Sequence, residues 1–307
     1  MKRRFMFLIL FLSLLLVGCT PNEDINNDKL TIVSTIFPGY DFARAIVGDN
    51  ANVIMLIKPG TEVHSYDPSP KDIINIQKSD VFIYVGGESE EWVSDILSTL
   101  DMKHTKVVRL MDYVDLSLEE IKDGMQSKEE SSDEYDEHIW TSLRNSHKLV
   151  EAIYDAIYSV DDNPLYLENK NSYLSKIDLL DKRTSEIVLN SKNKTLIFGD
   201  RFPFKYFVLD YGLDYYAAFS GCSSETEASA KTVAFLIDKV RANNIPVVFY
   251  LEMSNHKIAD VISQDTGAKT LMFHSAHNLT KDEFESGKTY VDIMKQNIDN
   301  LEEALKW

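Results

Sequence analysis

Residues 81–85 have the sequence Val-Phe-Ile-Tyr-Val, an unbroken apolar run. A run of this kind predicts a strand that is buried on both faces of a parallel sheet. Working outward, Leu30–Ser34 and Asn52–Ile57 are further short apolar strands, while Gly39–Val47 and Glu91–Leu100 have helical spacing. Strands that alternate with helices predict a βα lobe and exclude an all-β fold.

The second half of the chain repeats this pattern around another buried run, Val247–Leu251. Between the halves, an amphipathic segment of about 26 residues predicts a rigid connecting helix roughly 40 Å long. The predicted fold class is α/β, with two βα lobes, parallel sheets and a ligand cleft between the lobes at the carboxyl ends of the strands. The predicted boundaries are an N-terminal lobe at 30–163, a linker helix at 164–190 and a C-terminal lobe at 191–307.

Charge and cysteine content restrict the possible partners. The 307 residues include 49 acidic and 32 basic side chains, which gives a formal net charge of −17. Nucleic acid is excluded as a partner because its binding depends on clustered cationic side chains, whereas a positively charged ligand is favoured. The two cysteines are too few for a disulfide scaffold or a cysteine-rich zinc knuckle.

The N-terminus has the pattern of a secreted protein. A basic segment, Lys2–Arg4, precedes an apolar run at Phe5–Val17, which predicts a signal peptide over residues 1–18. Leu16–Cys19 resembles the lipobox of bacterial lipoproteins, so we expect Cys19 to be lipidated and residues 19–29 to form a polar tether. The alternative is an ordinary secreted protein in which the cysteine occurs by chance. Cleavage removes three positive charges.

Four of the seven histidines occupy loops that follow predicted strands or flank the acidic segment. His64 lies in a proline-rich loop, His138 follows an acidic stretch, and His274 and His277 come directly after the last predicted strand. Neutral imidazole is the commonest protein metal ligand, and three or four imidazoles suit tetrahedral zinc. These four residues are therefore candidate metal ligands. The other three, His104, His147 and His256, are interpreted as surface residues.

The loop PGTEVHSYDPSPKDI at residues 59–73 resembles the signature of the lipoproteins that supply metal to zinc and manganese ABC importers. The resemblance continues through Glu137–Trp140, Phe204–Phe207, Glu225–Ser229 and Tyr290–Met294, and so covers nearly the whole mature chain. It implies that His64 and His138 are metal ligands from the first lobe. It also implies a membrane permease as partner and a lipid-anchored position on the extracytoplasmic face of the cell membrane. We expect a monomer.

The second half departs from this family pattern. Members usually have a histidine or glutamate where this chain has Arg201, and a guanidinium cannot bind a cation. We infer that His274, His277 or both replace the missing donors, and that Arg201 pairs with an acid such as Asp200 or Glu252. Cys222 is either a soft donor or a small buried thiol.

Histidine donors favour Zn(II) as the transported ligand, because Mn(II) is better served by carboxylates. A Mn(II) or Fe(II) carrier of the same family remains the alternative, since the acidic segment at 122–137 lacks histidine. Two other classes stay open. One is a lipid-anchored metallohydrolase with Glu62 or Glu137 as general base, and the other is an adhesin with an acidic binding surface. Common catalytic motifs are absent from the sequence, so we expect no enzyme.

Overall fold

The computed structural model describes residues 29–63, 66–126, 134–223 and 227–306. Several sequence predictions lie outside these residues: the signal peptide at 1–18, the lipidation site Cys19, most of the tether at 19–29, and the candidate ligand His64.

Two four-stranded parallel sheets form the framework. The first has the order β2-β1-β3-β4 and the second the order β6-β5-β7-β8. The strands are β1 Thr31–Ser34, β2 Asn52–Met55, β3 Val81–Tyr84, β4 Lys106–Arg109, β5 Thr195–Phe198, β6 Asp214–Ala217, β7 Val247–Tyr250 and β8 Lys269–Met272. This architecture confirms the predicted α/β class with two parallel sheets.

Ten α-helices alternate with these strands in the described residues. They are α1 Phe37–Val47, α2 Pro70–Lys78, α3 Glu91–Thr99, α4 Leu143–Tyr158, α5 Leu165–Asn190, α6 Lys205–Tyr211, α7 Ala230–Asn243, α8 Lys257–Thr266, α9 Lys281–Glu285 and α10 Tyr290–Leu305. In the part of the chain that the structure describes, no helix is both long enough and apolar enough to cross a membrane.

Local sequence accounts for helix α2 in detail. Ser69 Oγ accepts a hydrogen bond from the Asp72 backbone N–H, and the Asp72 carboxylate accepts one from the Ser69 backbone N–H. Pro70 occupies the first helical position, where its missing N–H has no intrahelical partner to lose. The helix consequently begins at Pro70, directly after its serine cap, and ends at Lys78.

Strand order determines where a site can form. In each sheet the first strand of the lobe lies between the second and third, so that the chain crosses first to one side and then to the other. The loops that follow β1 and β3, and those that follow β5 and β7, therefore diverge at the carboxyl edge and leave a crevice between them. Arg201 follows β5, and Glu252 follows β7.

The hydrophobic core is continuous across the two lobes. One cluster of buried side chains includes Phe42 and Trp140 from the first half together with Phe273 and Tyr290 from the second. Smaller clusters cover the outer faces, around Phe82 in the first sheet and Val248 in the second. The two sheets are therefore joined through a shared layer of helices.

The final helix α10 packs against α5 and α1 as well as β8. Its first residue, Tyr290, donates its backbone N–H to the Asp41 carboxylate at 3.0 Å, and the Tyr173 hydroxyl donates to the same oxygen at 2.7 Å. Burial raises the pKa of Asp41, while its bonds with Tyr173 and Tyr290 oppose this rise. One buried carboxyl group thus links helices α1, α5 and α10.

Removing the Tyr173 hydroxyl tests this link. Because Asp41 is only 4% exposed, water cannot readily replace the lost donor, and we expect Tyr173→Phe to lower the free energy of unfolding by about 1–3 kcal/mol. Urea unfolding measures the change. Tyr158→Phe is the matched control: that ring is 43% exposed, and we expect a change within about 0.5 kcal/mol. Equal losses in both variants would contradict the assignment.

Candidate metal centre between the lobes

A small polar cavity lies where the lobes meet. Thr61, Glu62, Val63 and His138 line it from the first lobe, and Arg201, Gly221, Glu252, Ser275 and His277 are among its second-lobe walls. Its volume of ≈ 60 Å³ is far below the several hundred Å³ of a typical organic-ligand pocket. The cavity therefore suits an ion with few waters.

A larger cavity, ≈ 640 Å³ in volume, lies beside α1, α5 and the start of α10. Its lining carries both signs of charge, including Arg44, Asp49, Lys176 and Asp292. None of the residues predicted to bind metal lines it, so it is separate from the candidate centre.

His138 is buried and held in place by a neighbouring acid. Its backbone N–H donates to Asp136 Oδ1 at 2.8 Å, and its ring Nδ1 lies 3.1 Å from the same oxygen. A carboxylate that accepts from Nδ1–H fixes the tautomer and the orientation of the ring, as in many metal-binding histidines. Burial lowers the pKa of His138, but the charge and hydrogen bond of Asp136, together with the negative charges of Glu137 and Glu119, outweigh this effect and the net pKa is raised.

His277 lies beside His138, although it comes from the other lobe. The two ring centroids are 5.3 Å apart and nearly perpendicular, and the Trp140 ring lies 4.8 Å from that of His277. The next residue, Asn278, donates its side-chain amide to the carbonyls of Lys58 and Thr61. The loop after β8 is therefore attached to the loop that carries Glu62.

His274 does not line the cavity. Its Nδ1 accepts the Ala276 backbone N–H at 2.9 Å, and its Nε2 lies 3.6 Å from Glu283 Oε2. The Asn297 amide also bonds both the N–H and the carbonyl of His274. The structure thus brings His138 and His277 together and places His274 in a separate buried network, a distinction that their close spacing in sequence could not reveal.

The segment before His64 forms part of the cavity wall. Glu62 and Val63 both line the cavity, and the backbone N–H of Tyr66 donates to the Val63 carbonyl at 3.1 Å. Glu62 and Val63 therefore place the described part of the loop before position 64 at the rim of the cavity.

Arg201 pairs with a different acid from those expected. Its Nη1 lies 3.7 Å from Glu62 Oε1, across the lobe boundary. The expectation that Arg201 pairs with an acid is met, but by Glu62 in place of the two suggested residues, Asp200 and Glu252, whose carboxylates accept hydrogen bonds from other groups. Asp200 accepts the N–H groups of Arg201 and Leu251, and Glu252 accepts the N–H and hydroxyl of Ser275.

Cys222 and Glu137 lie close to His138. A carboxylate oxygen of Glu137, a ring nitrogen of His138 and the Cys222 Sγ all lie within 4.8 Å of one another. Burial raises the pKa of the Cys222 thiol, and the nearby carboxylates of Glu137 and Glu119 add to the rise. The sequence suggested Cys222 only as one of two alternatives, because nothing in the local pattern shows that its loop folds over His138.

Comparisons with known proteins agree with this architecture. The profile of the family described as "Zinc-uptake complex component A periplasmic" matches residues 32–304. The zinc-binding lipoprotein AdcA of Streptococcus pneumoniae is 34% identical over 309 residues, which cover 99% of this chain and 61% of that protein. The chain therefore spans about three-fifths of that relative. The high-affinity zinc uptake system protein ZnuA of Bacillus subtilis is 33% identical, with 98% of this chain and 97% of that one covered.

Solved structures of related proteins have a similar fold. The Zn(II)-bound ZnuA-like domain of S. pneumoniae AdcA gives a TM-score of 0.76 at 33% identity, covering 91% of this chain and all of that one. The metal-dependent lipoprotein YcdH of B. subtilis gives 0.77 at 31% identity, with 90% of this chain and 100% of that one covered.

The network around His274 predicts a pH-dependent contribution to stability. Contact with His274, together with bonds from Lys288 and the Thr280 N–H, holds the pKa of Glu283 well below its usual range. Because the folded-state pKa is depressed, this stabilisation is complete above the unfolded-state pKa of about 4.3 and disappears as the pH falls through the folded-state value.

We expect Glu283→Gln to lower the free energy of unfolding at neutral pH by about 1–2 kcal/mol, a modest value because the carboxylate is partly exposed. The difference from the parent chain should shrink below about pH 4. Urea unfolding with a metal chelator at several pH values measures it. Glu285→Gln, at an exposed position of the same helix, is the control. A difference that does not vary with pH would contradict the interpretation.

Proposed function

The chain belongs to the zinc-uptake complex component A family, and on this premise we propose that it captures Zn(II) outside the cytoplasm and delivers it to the permease of an ABC importer. The family expectation drawn from the sequence motifs is confirmed. The observation that carries the proposal is the meeting of His138 and His277, one from each lobe, at a cavity of ionic size.

The geometry of the two histidines suits a shared ion. Two nitrogen ligands of one tetrahedral zinc are about 3.4 Å apart when each Zn–N bond is about 2.1 Å. The 5.3 Å separation of the ring centroids brings the edges of the rings within reach of that distance. His64, which directly follows the cavity-lining Val63, is the proposed third imidazole ligand. An ion bound in this way would hold the two lobes together.

The donor chemistry favours Zn(II) over the alternative cargo, Mn(II) or Fe(II). Manganese prefers several carboxylate or other oxygen ligands, but the acids of this cavity are already engaged. Glu62 faces Arg201, and Glu252 accepts two hydrogen bonds from Ser275. The cavity also presents the imidazoles of His138 and His277, and imidazole nitrogen is a donor that matches zinc.

The size of the cavity argues for a carrier and against a metallohydrolase. A hydrolytic zinc site keeps a coordination position open for water and needs space for a substrate. A cavity of ≈ 60 Å³ has little room for an ester or peptide beside the ion. We therefore propose a transport component without enzymatic activity.

The proposed location follows from the N-terminus. The lipobox-like tetrapeptide at 16–19 ends in Cys19, and the pneumococcal relative is named a lipoprotein. Acylation of Cys19 would attach the chain to the outer face of the cell membrane, with residues 19–29 as the tether. In this arrangement a single chain presents its loaded cleft to the permease.

Zinc titration of the purified chain tests the proposal. Zn(II) should raise the melting temperature, because a ligand that binds only the folded state adds RT ln(1 + [L]/Kd) to its stability. We expect His138→Ala and His277→Ala each to weaken zinc binding by more than about 100-fold, since both remove a direct ligand. His147→Ala, at a partly exposed histidine beside Glu151 and Asp178, is the control. A parent chain whose stability does not respond to zinc would refute the proposal.

A second pair of variants separates the two candidate histidines of the last loop. We expect His277→Gln to lose zinc affinity and keep the stability of the metal-free chain. His274→Gln should keep zinc affinity but lower the free energy of unfolding by about 1–3 kcal/mol, because a buried network loses a partner. Calorimetric zinc titration and chelator-treated unfolding measure the two quantities. The reverse pattern would assign the ligand role to His274.

A further inference from the structure

Cys222, His138 and Glu137 form a compact set of metal-binding side chains, called here the Cys222 cluster. Among residues 29–63, 66–126, 134–223 and 227–306, it is the one group of three or more such side chains whose donor atoms all lie within 4.8 Å of one another. Thiolate, imidazole and carboxylate are the three side-chain ligand types of protein zinc sites.

Backbone contacts from several segments place the first-lobe members of the cluster. Glu137 Oε2 accepts the Ser89 backbone N–H at 3.1 Å. An added Cβ at Gly87 would lie only 2.1 Å from that same oxygen, so the close approach of the loop after β3 to Glu137 requires glycine. The Asp136 carboxylate accepts the backbone N–H of His138 and contacts the ring Nδ1 of the same residue, which orients the imidazole. Glu137 and His138 are therefore held in fixed positions beside each other.

The loop that carries Cys222 packs directly on the His138 ring. A Cβ added to Gly221 would lie 3.3 Å from both Nδ1 and Cε1 of His138. The Cys222 backbone N–H donates to Glu119 Oε1 at 2.9 Å, which attaches this second-lobe loop to the first lobe. The thiol thus reaches His138 from the opposite lobe, as His277 does.

We propose that Cys222 is a ligand of the captured ion, beside His138 and Glu137, and that the centre therefore prefers thiophilic divalent cations. This inference rests on the proposed zinc capture and adds the identity of a second-lobe donor. The second lobe already offers His277, but it places a guanidinium at Arg201, which cannot coordinate; the Cys222 thiolate adds a further donor from this lobe. On binding, the Cys222 S–H bond breaks, its proton passes to solvent, and the sulfur coordinates the ion.

The required movement is small. Ligands at about 2.1–2.3 Å from one tetrahedral ion lie about 3.5 Å from each other. Donor atoms already within 4.8 Å must approach by roughly 1 Å or slightly more. Side-chain rotation together with slight closure of the lobes is sufficient for a change of this size.

Cadmium provides a direct probe, because a Cd–thiolate bond gives an ultraviolet charge-transfer band that imidazole and carboxylate ligands do not give. The full chain and its Cys222→Ser variant are titrated with Cd(II), Zn(II) and Mn(II). Cys19→Ser, at the other cysteine of the sequence, and Ser220→Ala, in the same loop as Cys222, are the matched controls. Alkylation of Cys222 with and without Zn(II) gives an independent readout.

We expect the band in the full chain and in both controls, and its loss in Cys222→Ser. That variant should bind Cd(II) at least about tenfold more weakly, with Mn(II) affinity nearly unchanged, because a soft ligand is lost. Zn(II) should protect Cys222 from alkylation. A chain that binds zinc but gives no Cd–thiolate band with Cd(II), or whose Cys222 is alkylated equally fast with and without Zn(II), would overturn the Cys222 assignment and leave zinc capture intact. A full chain that binds neither zinc nor cadmium would overturn both.

Discussion

Trp140 is the residue on which the centre depends. Its indole N–H donates to the Ser275 carbonyl at 2.9 Å, and its own carbonyl accepts the hydroxyls of Ser146 and Tyr290. The side chain is fully buried and lies against the rings of both His138 and His277. One rigid aromatic residue therefore fixes the loop after β8 relative to the segment that carries His138. Since imidazole ligands must be placed within a few tenths of an ångström, such a reference point is a physical requirement for a site built from two lobes.

The shared core explains how the two sheets keep a fixed position relative to each other. The buried rings of Phe42 and Tyr290, one from each half, lie 5.0 Å apart and nearly perpendicular. Helix α10 packs on α1 of the first half, on the long helix α5 and on β8 of the second half. Ser142 and Asp210 form a direct bond between lobes, as do Ser117 and Tyr206. Because each contact crosses the same boundary, separating the lobes would expose apolar surface and leave polar groups unpaired at once. The apposed arrangement is consequently favoured even before an ion adds its own bonds.

Sequence patterns predicted most of this framework and only part of the centre. The run at 81–85 and the serine cap of α2 act through neighbours in sequence, so both could be recognised. Strand β6 was missed because Asp214–Ala217 is an edge strand that begins with a charged residue, alternates in burial and lacks a continuous aliphatic run, and helix α9 has only five residues. The difference between His274 and His277 depends on Glu283 and Trp140, which are distant tertiary partners. No local periodicity carries that information.

Local geometry, more than the overall negative charge, gives this cleft its selectivity. Three carboxylates accept hydrogen bonds from backbone N–H groups: Asp136 from His138, Glu252 from Ser275, and Glu119 from Cys222. Each of these carboxylates is committed to positioning a donor or its loop, and so contributes negative potential without competing as an oxygen ligand. Arg201 opposes part of that potential and pairs with Glu62 at the rim. A hard ion attracted by charge alone would find few available carboxylates, whereas a borderline ion meets oriented nitrogen and sulfur atoms. With the proposed ligands, the softness of the donors would add to a general attraction for cations and would determine which ion stays bound.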